Sequence, residues 1–401
     1  MKSILSLAFV FLAAVGAYSQ HQAPAKLTFS SGNSMEMPFR LVNNLVIVEA
    51  RVNGKSGSFI FDTGAESTVV DSTFATKIGL KQSGKTTGTG ASGTATAGVM
   101  KDVRVELGSL SASALTVYSL PLDSFTPSFG FVVDGIIGND IIGSVVAEID
   151  YLNSKLSLMQ PSVFKPPSTV AVPLTIAGNL PFTKAQVTPV GGTPITATME
   201  IDTGSTGVIL LNSPFVKRNN LIATLPASQE NKTGGVGGTG TSIVGRMSTL
   251  AFGKSVLRQP IAILYTGTKG DNASREYDGL IGGGIFRRFK LTVDLPGRRL
   301  FLEPGPNVYD PFDMDMSGLE ILADGPDLKT FLVDELRPGS AGAKAGIEGG
   351  DTIQAIDGKP TRELGIDEIH RLMRKDGASY DLTIERGAKT LHIRLVLKRV
   401  I

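Results

Sequence analysis

Ser58-Phe59-Ile60-Phe61-Asp62-Thr63-Gly64 and Ala197-Thr198-Met199-Glu200-Ile201-Asp202-Thr203-Gly204 are two versions of one pattern, an apolar run that ends in Asp-Thr-Gly. Each run reads as a strand that delivers an aspartate at its end. The two aspartates lie 140 positions apart, the length of one small β domain. The surroundings repeat as well. Asn53-Gly54 predicts a hairpin leading into the first run, and Gly191-Gly192 holds the same place before the second. A brief helix over 72–77 is echoed by Ser213-Pro214-Phe215-Val216. Glycine- and threonine-rich stretches, 84–98 and 234–245, read as mobile hairpins without a core of their own. Each contains Gly-Thr-Gly, at Gly88 to Gly90 and at Gly238 to Gly240. Asp134-Gly135-Ile136-Ile137-Gly138 is matched by Asp278-Gly279-Leu280-Ile281-Gly282. Hairpins over 147–159 and 291–303 close the two series, turning at Asn153-Ser154 and Pro296-Gly297. So many features in one order amount to an internal duplication.

The chemistry that suits such a pair is that of a shared proton. Two carboxyls held a hydrogen-bond length apart cannot both ionise. One then serves as base for a water between them, and the other as acid for a carbonyl. Gly64 and Gly204 let each backbone come close to the partner turn, and the threonine side chains are placed to tie the turns together. The triplets are followed by different residues, Ala65 and Ser205. A serine hydroxyl donating to Asp202 is expected to make that carboxyl the more readily ionised and Asp62 the more readily protonated.

Composition narrows the alternatives. The 401 residues allow two or three domains, and a net charge of +2 gives no nucleic-acid footprint. With no cysteine there are neither disulfides nor thiolate sites, and the three histidines, His21, His370 and His392, neighbour no nucleophile in sequence. A Ser-His-Asp enzyme is therefore disfavoured. A glycosidase using the two carboxylates lacks an aromatic platform for a sugar, since tryptophan is absent.

Met1-Lys2 followed by an apolar run over 4–17 and Ala17-Tyr18-Ser19 reads as a signal peptide spanning 1–19. The mature chain is expected in the periplasm or outside the cell, with no transmembrane segment. Proline-rich joints at 161–167 and at Pro304-Gly305-Pro306 divide the rest of the chain. The last segment reads Gly318-Leu319-Glu320-Ile321, then Pro338-Gly339-Ser340-Ala341, then Gly350-Asp351-Thr352-Ile353 and Ile356-Asp357-Gly358. Ile366, Ile369, Leu372 and Met373 share one helical face, and a hairpin around Arg386-Gly387 closes the chain.

The paired Asp62-Thr63-Gly64-Ala65 and Asp202-Thr203-Gly204-Ser205, with Ile136-Ile137-Gly138 and Leu280-Ile281-Gly282, resemble the aspartic proteases, specifically retropepsin-like ones with two fused lobes. The final segment resembles a bacterial-type PDZ domain. The resemblance implies a mainly β fold: one lobe over 27–160, a second over 172–305, and a small α+β PDZ domain over 318–401. It makes Asp62 and Asp202 the catalytic dyad, with Thr63, Gly64, Thr203, Gly204 and Ser205 in support. Gly88, Gly90, Gly238 and Gly240 become flap residues over the substrate. No metal or other cofactor is implied. A flap tyrosine of the pepsin type is missing from both hairpins, which brings the retroviral type nearer. For the PDZ segment, the amides of Leu319, Glu320 and Ile321 are expected to bind a peptide C-terminus, with His370 either lining that groove or exposed on its helix. The function expected is that of an exported aspartic endopeptidase acting on peptides or proteins. The alternative is a peptide-binding protein that keeps the fold without cleaving. The joint after 305 leads us to expect a PDZ domain separable from the catalytic unit.

Overall fold

The computed structural model describes residues 8–10, 13–14 and 26–401. The reading of 1–19 as a signal peptide falls mostly outside the described residues. The fold is mainly β, ordered in four sheets.

The duplicated pattern is the same sheet built twice. In the first half, strand Lys55–Phe61 runs into Asp62, and Val69–Asp71 resumes after the turn. Strand Gly135–Ile137 inserts between them, parallel to the first with Ile137 opposite Phe61, antiparallel to the second. The second half repeats this with Ile195–Ile201, Ile209–Leu211 and Gly279–Ile281. These short strands are buried on both faces, which explains their continuous apolar runs. The Asp-Gly pairs ahead of the inserted strands have a structural task. Asp134 Oδ2 accepts the Ser58 N–H and Asp278 Oδ2 the Thr198 N–H, each at 2.8 Å. Asn53 and Gly54 both take the positive φ that their turn requires, 48° and 81°.

The two halves are joined by a six-stranded sheet. Val146–Asp150 of the first pairs antiparallel with Phe289–Asp294 of the second, from Val146 opposite Asp294 to Asp150 opposite Lys290. The glycine-rich hairpins are Gln82–Gly90 with Gly93–Leu107, and Gln229–Gly235 with Gly238–Arg246. Here two expectations are corrected. The two Gly-Thr-Gly copies are not structural equivalents: Gly88 and Gly90 precede their turn, whereas Gly238 and Gly240 follow theirs. Turn position sets the register of a hairpin, and a local triplet does not. Nor do the tips lack packing. Ala91 is fully buried, and a Cβ on Gly90 would stand 2.2 Å from the Val236 carbonyl oxygen.

The PDZ segment forms the fourth sheet, with edge strand Leu319–Asp324 and helix Ile366–Leu372. Its own core gathers Phe331, Val333, Ile353, Ile369, Met373, Ile384 and Leu395. Buried Asp351 is gripped by Arg386 at 2.7 and 2.8 Å and by the Glu348 N–H at 2.9 Å.

The joint after 305 is packed. Val308 and Phe312, with Ile401 from the chain's end, belong to the same core as the protease-like halves. Arg288 is buried with no carboxylate partner among the described residues. It donates to the carbonyls of Asn307, Val308, Asp310 and Pro311 and lies 3.7 Å over the Phe312 ring. On the far side, the Asn43-Asn44 turn of the first half meets the PDZ helix. Its Asn43 N–H donates to Asp367 Oδ1 at 2.9 Å, and Asn43 Oδ1 lies 3.3 Å from His370 Nδ1. Asn44 Nδ2 donates at 2.7 Å to the carbonyl of Thr206, four residues beyond Asp202. A proline–glycine joint read from sequence says where regular structure stops. It does not say whether a cation elsewhere collects the carbonyls left over.

Replacing Arg288 by methionine keeps the stem but strands those carbonyls, at about 1–3 kcal/mol for each one left buried and unpaired. We expect a loss of roughly 2–4 kcal/mol in urea unfolding, with new proteolytic cuts between 305 and 316. Wild-type stability and an uncut linker would show that Arg288 does not hold it.

Candidate active site

The Asp62 and Asp202 turns meet face to face at the centre of the molecule. Each is fixed first from below, where the Asp62 N–H donates to the Ile137 carbonyl at 3.0 Å and the Asp202 N–H to the Ile281 carbonyl at 3.1 Å. The threonines then cross. Thr63 Oγ1 donates to the Ile201 carbonyl at 2.6 Å and accepts the Thr203 N–H at 3.1 Å. Thr203 Oγ1 donates to the Phe61 carbonyl at 2.8 Å and accepts the Thr63 N–H at 3.0 Å. Asn139 adds a bond that sequence reading missed, Nδ2 to the Thr63 carbonyl at 2.7 Å.

This lock brings the carboxyls against one another's glycines. A Cβ on Gly64 would stand 2.6 Å from Asp202 Oδ1, and one on Gly204 2.2 Å from Asp62 Oδ2. Contacts that short leave room only for glycine. Asp62 Oδ1 accepts the Gly64 N–H at 2.7 Å, and Asp202 Oδ1 the Gly204 N–H at 2.8 Å. The other oxygen of each, Oδ2, is buried without a hydrogen-bond partner among the described residues.

Burial, and then the charge of Asp202, hold the Asp62 carboxyl well above the usual range, against the opposing pull of the Gly64 and Gly204 N–H groups. Burial pushes Asp202 up to about 7, while the Asp62 carboxyl and the N–H groups of Gly204 and Ser205 draw it down. Both carboxyls are therefore held above the ordinary aspartate range, as two coupled groups in a buried site. The hydroxyl contact expected from the sequence is not the one the fold uses. Ser205 reaches Asp202 through its backbone N–H, and its Oγ is turned to accept the Gly207 N–H at 3.3 Å. The Ala65 N–H is directed back to the Asp62 main-chain carbonyl at 3.5 Å.

Three further carboxyls crowd the pair. Glu200 is fully buried, with both oxygens unpartnered among the described residues. Burial first, and then Asp202, Asp62, Asp271 and Glu66, hold it well above its ordinary value. Glu66 and Asp271 are each raised to about 7, chiefly by burial. The signal for Glu200 was a break in the repeat, since the corresponding place before Asp62 is Ile60.

The hairpin tips meet one another and the segment at 270–272. Ser92 Oγ donates to the Thr233 carbonyl and the Asn272 N–H to the Ala91 carbonyl, each at 3.1 Å. Gly88, Gly90, Gly238 and Gly240 all lie on these hairpins, Gly240 against the Tyr265 ring. Leu319, Glu320 and Ile321 are far from this centre in sequence and form the start of the PDZ edge strand. His370 is half-buried, and burial followed by the nearby Arg374 lowers it to about 3, so its ring is neutral.

Residues 48–141, which include Asp62, match a family model described as aspartyl protease. Residues 332–386 match a PDZ domain model. The chain thus carries an aspartyl protease domain followed by a PDZ domain. No curated protein matches it. Among solved structures, a photosystem II D1 C-terminal processing protease is 26% identical over 21% of this chain and 23% of that one, with a TM-score of 0.20. So slight a likeness bears on neither fold nor function.

Glu200 yields a test in stability. Its proton affinity is higher folded than unfolded, so its contribution is fully present below about pH 4.5 and is lost as pH rises towards the folded value. Glu200→Gln removes that titration. Its stability relative to wild type should rise as pH increases above about 4.5, by about 1.4 kcal/mol for each unit by which the folded value exceeds 4.5. Parallel pH–stability curves from urea unfolding would show that Glu200 has an ordinary pKa.

Proposed function

We propose that this protein is an exported aspartic endopeptidase whose catalytic groups are Asp62 and Asp202. The observation that carries the proposal is the crossed threonine lock, which holds two raised carboxyls face to face with one outer oxygen of each left unbonded among the described residues. Asp202, ionised, takes a proton from a water as its oxygen bonds to the substrate's peptide carbonyl carbon. Asp62 gives its proton to the carbonyl oxygen. The tetrahedral diol then returns a proton through the pair to the nitrogen, and the C–N bond breaks. A free carboxyl and a free amine leave, and the dyad is restored.

In this reading the hairpins are flaps, and their open edges hold the substrate as an added strand. The chain's own N-terminal segment supports the capacity of those edges. Ala8–Val10 pairs in parallel with Thr233 to Gly235, and Ala13–Ala14 antiparallel with Gly90 and Thr89. The PDZ domain binds peptides, and free C-termini are the class we assign to it. Export rests on the charged and apolar pattern of residues 1–19 alone.

Asp62→Asn and Asp202→Asn should each lower kcat by about a thousandfold or more, and the double variant little further, because the pair acts as a unit. Both variants should fold. Because both carboxyls are raised, the pair keeps its single proton towards neutral pH, and kcat/KM should peak nearer neutrality than a dyad of ordinary aspartates allows. The measurement is cleavage of one quenched fluorescent peptide across pH. Near-normal turnover by either single variant sinks the dyad.

A further inference from the structure

The two halves are least alike just before their aspartates. Side chains two positions apart on a strand face the same way, so Glu200 stands beside Asp202 as Ile60 stands beside Asp62. Ile60 sits in an apolar cluster with Ala65, Leu120, Phe125 and Phe129. Glu200 has different company. Opposite it in register lie Phe182 on one neighbouring strand and Leu280 on the other. The Tyr277 ring is 5.2 Å from that of Phe182. Asn212 Nδ2 ties Tyr277 to Asp271, donating to their main-chain carbonyls at 3.2 and 3.4 Å. Glu66 approaches from the first half: a Cβ on Gly178 would stand 2.5 Å from its Oε1, at the turn leading into Leu180–Thr188, the strand that carries Phe182.

The polar atoms gathered here lack partners. Both Glu200 oxygens, Asp271 Oδ2 and the Tyr277 hydroxyl, which lies beside Asn212, are buried without a hydrogen bond among the described residues. Native interiors rarely leave such groups unpaired without a functional reason. The charges acting on Glu200 are those of Asp202, Asp62, Asp271 and Glu66, and those acting on Asp271 are Glu66 and Glu276, acids throughout. The cations on the same elements, Lys184, Lys269 and Arg275, are exposed, and Lys184 donates outside the cluster, to Thr198 Oγ1 at 2.6 Å. Among the described residues the acids do not converge as metal ligands do. What suits them is a cation on a long apolar stem, with the stem along Phe182 and Tyr277 and the head among the acids. An arriving cation favours the ionised form of each acid, which burial otherwise opposes.

We propose that Glu200, Asp271 and Glu66 form a specificity subsite for a lysine or arginine side chain of the substrate, on the Asp202 side of the bond to be cut. This rests on the protease reading and deepens it by naming the class of sequence cleaved. The other flank of the bond falls to the apolar surroundings of Ile60, so the preferred bond joins a basic residue to an apolar one. Access follows from the hairpins. The first hairpin tip rests on the segment that carries Asp271: the Asn272 N–H donates to the Ala91 carbonyl at 3.1 Å, and a Cβ on Gly270 would stand 2.5 Å from the same oxygen. With the hairpins acting as flaps, the movement that admits a peptide to the dyad also uncovers Asp271.

The test begins with the wild-type full chain and a peptide mixture cut from denatured proteins after acidic residues, so that lysine and arginine are retained inside the peptides. Mass spectrometry of the new ends should show lysine and arginine enriched at one position flanking the cut and apolar residues at the other. Two quenched fluorescent peptides are then made that differ only at the first of these positions, lysine against norleucine. Their kcat/KM ratio should favour lysine by about tenfold or more. Glu200→Gln should bring that ratio close to one, and Asp271→Asn and Glu66→Gln should each lower it severalfold, with circular dichroism confirming each fold. Reading a ratio separates lost selectivity from a general loss of rate, and the last two variants carry the reading where Glu200→Gln is too slow to measure. Cleavage without basic enrichment at either flank, or a lysine preference that survives all three substitutions, overturns the subsite and leaves the protease reading intact. No cleavage of any peptide by the wild-type chain overturns the protease reading, and the subsite with it.

Discussion

Two carboxyls repel each other when ionised and are costly to bury, yet here Asp62 and Asp202 are both fully buried and face to face. What holds them is the crossed pair of threonine hydroxyls. Each hydroxyl donates to a carbonyl and accepts an N–H from the opposite half, so neither turn can relax without stranding polar groups of both. The surrounding structure meets that demand. Glycine must occupy 64 and 204, because the opposing carboxyls stand where a Cβ would be. The apolar strands 135–137 and 279–281 must lie beneath, because their carbonyls at Ile137 and Ile281 receive the aspartate N–H groups. The two halves must be locked together, and the six-stranded sheet pairing 146–150 with 289–294 does this.

A buried centre of this kind also governs its other acids. Glu200, Glu66 and Asp271 add charges that the site does not readily hold in ionised form, and burial keeps their proton affinities high. Five carboxyls with raised proton affinity therefore share a small volume. The protease and PDZ parts are coupled by the same need to pair polar groups. Arg288 collects the carbonyls of the linker, and Asn43 and Asn44 join Asp367 and His370 of the PDZ helix to the carbonyl of Thr206. These bonds place the PDZ helix against the segment that follows the Asp202 turn.

How much of this was legible depends on the range of each interaction. The Asp-Thr-Gly repeats, the Asn53-Gly54 turn, the hairpins at 153–154 and 296–297 and the PDZ helix face are local patterns, and local patterns are what periodicity and turn chemistry report. The mismatch of the two Gly-Thr-Gly copies was hidden because hairpin register depends on where the turn falls. Glu200 was visible as a charge where the other copy has Ile60, but its burial was not. That Ser205 reaches the Asp202 carboxyl through its N–H, while its hydroxyl accepts the Gly207 N–H, is decided by the fold alone.

By itself, then, the sequence determined a duplicated mainly β chain, two aspartates in matched turns and a trailing PDZ segment, because each is written in contiguous residues. Only tertiary structure decided that the aspartates meet, that their glycines are pressed against the opposite carboxyls, and that Glu66 and Asp271 come to lie near Glu200. Those contacts join residues scores of positions apart. They depend on how the two halves and the PDZ domain pack, which chain order does not encode locally.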